Sequence, residues 1–110
     1  MLSALFRLTP PTALLVAEPA HAIAVLGFVG QRGIQIGRDL SLVCMINDPT
    51  FAWRHPPLAH FDWDTAPVIR RIVRWAGAVA RGRVDKKRMV SPATFIPGGT
   101  VMAAPAGRRL

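Results

Sequence analysis

The stretch AHAIAVLGFVGQRGIQIGRDLSLVCMIN, Ala20 to Asn47, decides the fold. It reads as a helix, a glycine stop at Gly33, a short loop and a buried strand. Ala22, Ile23, Val25, Leu26 and Val29 recur at helical spacing, and Leu40, Leu42, Val43 and Cys44 form a near-continuous apolar run. Just upstream, Ala13-Leu14-Leu15-Val16-Ala17 supplies a first strand of the same near-continuous type, as expected of strands covered on both faces. Two strands flanking one helix make a β-α-β unit: a parallel pair joined by a right-handed crossover. Ala20, Ala24 and Phe28 add a second apolar stripe to the helix, so one face is expected on the sheet and the other on a further surface, such as a second chain.

Outward from this unit, Met1 to Leu8 reads as the last turns of a helix, ended by Thr9-Pro10-Pro11-Thr12. Downstream, Ile46-Asn47-Asp48-Pro49-Thr50 is turn chemistry, and Phe51 to Pro57 is irregular. Leu58 to Trp63 reads as a third short strand. Asp64 or Thr65 caps a helix whose apolar face is Val68, Ile69, Ile72, Val73, Ala76, Val79 and Ala80. Arg70, Arg74 and Arg81 lie on its other face, and Gly82 ends it. Arg83 to Arg88 is a basic loop, Met89 to Ile96 a last strand held to an edge by Pro92, and Gly98 to Leu110 a loose tail.

The whole chain sets bounds on these pieces. Its 110 residues suffice for one small domain, and 51% hydrophobic content suits an α/β core or part of a larger one. The longest apolar run is broken by Gly27, Gly30 and Arg32, short of the ~20 residues a bilayer span needs. Met1 to Ala22 ends in Ala20-His21-Ala22, a signal-like tripeptide. Arg7, however, follows apolar residues instead of leading them, Pro10-Pro11 splits the patch, and Glu18 sits near its end. Cytoplasm is the expected compartment. Cys44 is the single cysteine, which excludes an internal disulfide, and its apolar strand makes it a core residue.

In an open parallel sheet, ligands bind beyond the carboxyl ends of the strands. That rule selects Glu18-Pro19, Ile46-Asn47-Asp48 and Asp62-Trp63-Asp64. Carboxylates and an amide beside a tryptophan suit polyhydroxylated ligands, because each carboxylate accepts hydroxyl hydrogen bonds. The plainer reading makes Asp48 the start of an Asx turn, Asp64 a helix cap and Glu18 a first-turn acid. Enzyme and metal motifs fail. Gly27-x-x-Gly30-x-x-Gly33 lies at the end of a helix instead of opening one, and no serine sits in a nucleophile elbow. His60-x-Asp62-x-Asp64 is alone as a metal candidate. No enzyme activity, metal or cofactor is expected.

The run RGIQIGRDLSLV, Arg32 to Val43, together with PTALLVA at Pro11 to Ala17, Pro56-Pro57-Leu58 and the closing SPATFIPGGTV, resembles the C-terminal part of LacI/GalR-family transcriptional regulators. The matches fall in order over about Pro11 to Thr100. The resemblance implies the C-terminal lobe of a periplasmic-binding-protein-like (type I) sensor domain, incomplete. Residues 1–97 would form the partial sensor domain, with the lobe at 9–63, a crossover helix and last strand at 64–97, and a flexible tail at 98–110. The implied effector is a small polar molecule such as a sugar, contacted from Glu18, the position of Ile46, and Trp63, with Asn47 or Asp48 substituting for the aspartate that relatives often carry at Ile46. Gly37 stands where the family has proline. The implied partners are a second copy, through the Ala20–Gln31 helix and the Asp48–Pro57 segment, and operator DNA through a head domain that this sequence lacks. A start inside a helix is then expected of a truncated gene product or a misplaced start codon.

The formal net charge of +8 supports an alternative from another class: a free-standing basic interaction protein that binds nucleic acid through its arginines. That alternative requires a contiguous basic surface, whereas the cations are spread from Arg70 to Arg88 and at Arg108-Arg109.

Overall fold

The computed structural model describes residues 1–103. The chain folds as a helix α1 (Leu2–Leu8), strand β1 (Ala13–Val16), helix α2 (Pro19–Gln31), strand β2 (Ser41–Cys44), a 3-10 turn (Pro49–Trp53), strand β3 (Ala59–Asp62), helix α3 (Ala66–Ala80) and strand β4 (Thr94–Ile96). The sheet order is β1-β2-β3-β4. β1 and β2 pair in parallel from Ala13 opposite Ser41 to Val16 opposite Cys44, and β3 adds in parallel with Cys44 opposite His60. This is the expected α/β, mostly parallel sheet, with β4 at an edge; the strand expected over Met89–Ile96 is confined to Thr94–Ile96, beyond Pro92, which cannot donate to a ladder.

The chain divides into two compact units, Met1–Phe61 with the segment from Phe95, and Asp62–Thr94. In the first, α2 packs on β1 and β2. Ala22, Val25 and Val29 meet Leu40, Leu42, Cys44, Phe51 and Leu58 in one apolar cluster. The helix stops where the sequence places the stop. Gly33 takes φ +67°, and the Ile34 amide donates to the Val29 carbonyl, the six-to-one closure that needs a left-handed residue between them. Phe28 turns to the α1 side, where its ring stands 5.3 Å from Phe6 and under the Arg32 guanidinium at 4.3 Å.

Three details differ from the sequence reading. β1 alternates between exposed and half-buried, with Leu15 63% exposed, so only one of its faces is covered. A concavity of about 420 Å³ opens there, lined by Ala13, Leu15, Val43 and Val101. An apolar run marks a strand but does not say whether a second layer lies over it. Ile23, placed on the core side by spacing, is 62% exposed; the buried stripe is Ala22, Val25 and Val29.

The third difference is the segment from Gly98, read as a loose tail. Thr100 is fully buried. Its hydroxyl accepts from the Ala59 amide at 2.8 Å and donates to the Leu42 carbonyl at 2.7 Å, while its own carbonyl accepts from the Leu42 amide at 3.0 Å. It thus joins β2 to β3 where their pairing begins. Gly98, at φ +51°, lies against the Pro57 carbonyl with no room for a Cβ, so glycine is required by both conformation and space. The Met102 amide donates to Ser41 Oγ. Residues 104–110 of the expected tail lie outside the described residues.

The second unit is built around α3. Pro67 occupies its first turn, Asp64 Oδ1 accepts from the Ala66 amide at 2.9 Å, and Gly82 follows its end, with the Arg83 amide donating to Ala78. The helix has no buried residue. Ile69, Ile72, Val73 and Val79 of its apolar face are all exposed, as is Trp75. Arg71 clasps Asp85 through two hydrogen bonds, of 2.9 and 2.5 Å, and donates a third to the Lys87 carbonyl at 2.7 Å. These bonds order the basic loop.

Candidate functional site

The parallel register brings the first two candidate segments to one edge. Val16 stands opposite Cys44, and the Met45 amide donates to the Val16 carbonyl at 2.9 Å. Glu18 and Ile46 therefore follow the paired ends by the same two residues, at the carboxyl edge of the sheet. Glu18 is the residue before α2; its carbonyl accepts from the amides of His21 and Ala22, and its exposed carboxylate makes no capping bond. The side chain thus remains available to a ligand.

Ile46 is 39% exposed beside an exposed Met45, and Asn47 is exposed as well. An isoleucine offers no hydroxyl partner, so this position contributes only apolar surface. Asp48 is committed to local structure. Its Oδ1 accepts from the Thr50 amide at 2.9 Å and the Thr50 hydroxyl at 2.6 Å, which starts the Pro49–Trp53 turn. Those bonds from Thr50 hold the carboxyl below its ordinary range, because they favour the charged form. This is the Asx turn of the plainer reading, and Thr50, two residues on, was the sequence signal for it. Asp64 likewise turns to its own backbone.

Trp63 belongs to the Asp62–Thr94 unit, where its amide donates to Asp62 Oδ1 and its ring is 38% exposed. The arrangement at the β1–β2 edge comprises one carboxylate and one amide on open backbone turns, with no nucleophile beside a base. That is equipment for hydrogen bonding. Among the described residues no group of three or more His, Cys, Asp and Glu is placed to hold a metal ion.

Residues 1–101 match the family model of the periplasmic binding protein-like domain. The chain belongs to this family. Glu18 and Ile46–Asn47 follow the carboxyl ends of its paired parallel strands β1 and β2. No curated protein matches the sequence.

Solved structures share the fold. A LacI family transcriptional regulator from Bifidobacterium animalis subsp. lactis superimposes with a TM-score of 0.78 at 20% identity, over 93% of this chain and 38% of that one. A sugar-binding transcriptional regulator of the LacI family from Escherichia coli, complexed with phosphate, gives 0.76 at 14% identity, over 93% and 37%. The transcription regulator CcpA of Lactococcus lactis gives 0.71 at 15% identity, over 88% and 35%. The chain therefore spans little more than a third of the length of these regulators. Among its described residues, no helix is long and apolar enough to cross a membrane.

Proposed function

We propose that this periplasmic binding protein-like domain is the effector-sensing part of a LacI-type transcriptional regulator, cytoplasmic and without catalytic activity. Its ligand is a small polar molecule of the sugar class, held by Glu18 and Asn47 from the β1–β2 edge. Ile46 adds an apolar contact and Asp48 shapes the turn. Operator DNA is the task of a head domain of the kind such regulators carry. The observation that supports this reading most is the shared register of β1 and β2, which brings Glu18 and Ile46–Asn47 to the same edge, where open α/β sheets bind ligands.

Calorimetric titration of the full chain with a panel of hexoses, pentoses and nucleobases tests it. At least one sugar should bind, Glu18→Gln and Asn47→Ala should each weaken it about tenfold, as expected for a lost charge-assisted or paired hydrogen bond, and Ile46→Asp should strengthen it. A panel that fails to bind, or binding indifferent to both weakening substitutions, overturns the reading.

Self-association belongs to the same proposal. The outward side of α2 is small and apolar, with Ile23 exposed between Ala20 and Gly27, and Trp53 in the Asp48–Pro57 segment is 80% exposed. A bare tryptophan of that exposure is the kind of anchor that protein interfaces use. Sedimentation should show a dimer that Ile23→Glu and Trp53→Ala convert to monomer; a monomeric parent chain removes this part.

A further inference from the structure

The arginines that the sequence spreads along the chain are drawn together within the Asp62–Thr94 unit. Arg70 and Arg74 stand one helical turn apart on α3, a spacing that puts side chains on one face. Lys87 and Arg88 come from the following loop. All four line one concavity of about 270 Å³, floored by Pro67 and Met89.

The loop is held in place by a separate device. Arg71 takes Asp85 in a two-bond fork and reaches the Lys87 carbonyl, and Asp85 accepts from the Lys87 amide at 3.0 Å. These bonds, with Arg71 first among them, hold the Asp85 carboxyl below its ordinary range. The acid is thereby matched to Arg71, which also lines the concavity and whose buried Nε has no hydrogen-bond partner. Four further cations then surround one hollow. Like charges gathered at this density repel one another, which favours an anion that bridges them.

We propose that this hollow is a binding site for phosphate groups, distinct from the sugar-class site at the β1–β2 edge. Guanidinium groups match phosphate oxygens in pairs of parallel hydrogen bonds, and three of the four cations are arginine. The phosphate comes either from a small phosphorylated molecule, which a hollow of this size accommodates, or from the backbone of a nucleic acid.

The test uses the full chain and the double variant Arg70→Gln/Arg74→Gln. Both side chains are exposed, so circular dichroism should show an unchanged fold. Calorimetry with inorganic pyrophosphate, and fluorescence anisotropy with a short labelled DNA duplex, read the two sources. Binding of either probe that falls at least tenfold in the variant supports the site: pyrophosphate binding assigns it to a small phosphorylated ligand, duplex binding alone to a nucleic-acid backbone. In the duplex arm, the slope of log affinity against log salt should lose roughly two units, one for each cation removed. Failure of both probes to bind, or binding equal in the variant and the parent chain, overturns the proposal. The sugar panel against Glu18→Gln reads the other site, so either proposal can fail without the other.

Discussion

α2 and α3 are similar in length, 13 and 15 residues, and carry their apolar residues in opposite ways. α2 is apolar nearly all round, with two interior glycines, yet buries Ala22, Val25 and Val29 against β1 and β2. α3 has the cleaner stripe, with arginines opposite, and buries nothing. A stripe tells which face of a helix seeks cover; cover itself depends on what the rest of the chain can supply. Strands on both sides of α2 in sequence return to it as a sheet. Around α3 the chain supplies an ion-paired loop, and Ile69, Ile72 and Val73 remain more than half exposed.

The largest effect should come from the covered side. Leu42→Ala removes a fully buried side chain from the β2 core and should cost about 2–5 kcal/mol. Ile72→Ala, at a residue 57% exposed, should stay within about 0.5 kcal/mol. Urea denaturation of both variants checks the pair. A loss at Ile72 approaching that at Leu42 would mean that α3 is covered in solution, and would break the contrast.

Thr100 sharpens the comparison from another direction, because it shows that cover can come from sequence far away. Thr100→Val keeps the shape and removes the hydroxyl, leaving the buried Ala59 amide without its acceptor and the Leu42 carbonyl without that donor. The expected loss is about 1–3 kcal/mol, and Thr100→Ser, which keeps the hydroxyl, should recover most of it. Equal losses in the two variants would assign the effect to the methyl group.

What the sequence made legible follows the same division. Gly33 and Gly82 as helix ends, Cys44 as core and the parallel β1–β2 pair all rest on local signals, which need no partner to be read. Thr100 was not legible. A threonine after two glycines in a Gly-, Ala- and Pro-rich stretch has the composition of a tail, and its role depends on two strands 41 and 58 residues earlier. Of the candidate site, the chain positions of Glu18, Ile46 and Asn47 at the ends of β1 and β2 were readable from the strand-end rule. The capture of Asp48 by Thr50 was readable as an alternative, since Asp-Pro-Thr is itself turn chemistry. The clasp of Arg71 on Asp85 was invisible, because nothing in the spacing of 14 residues distinguishes that arginine from its neighbours.

The smallest effect should be at the loop between α2 and β2, where order rests on charge instead of burial. Asp39 Oδ2 accepts from the Gln35 amide at 2.8 Å, and Arg38 donates to both carboxylate oxygens at 2.9 and 2.7 Å. The hydrogen bond from Arg38, then that from Gln35, holds the carboxyl at about 2, below its ordinary 3.8. A carboxyl that is more acidic in the folded than in the unfolded chain stabilises the fold above the unfolded value, and that contribution is lost as pH falls from 3.8 to about 2. Asp39→Asn removes this dependence, so the urea midpoints of variant and parent should converge across that interval and stay separated above it. The pair is exposed to solvent and salt, which keeps the separation below that of Thr100→Val and shrinks it further in high salt. Arg38→Ala should leave part of the dependence, because the Gln35 amide still donates to the carboxylate. If Arg38→Ala abolishes it entirely, the ion pair alone orders the loop, and the loop then resembles the Arg71–Asp85 clasp more than the β2 core it leads into.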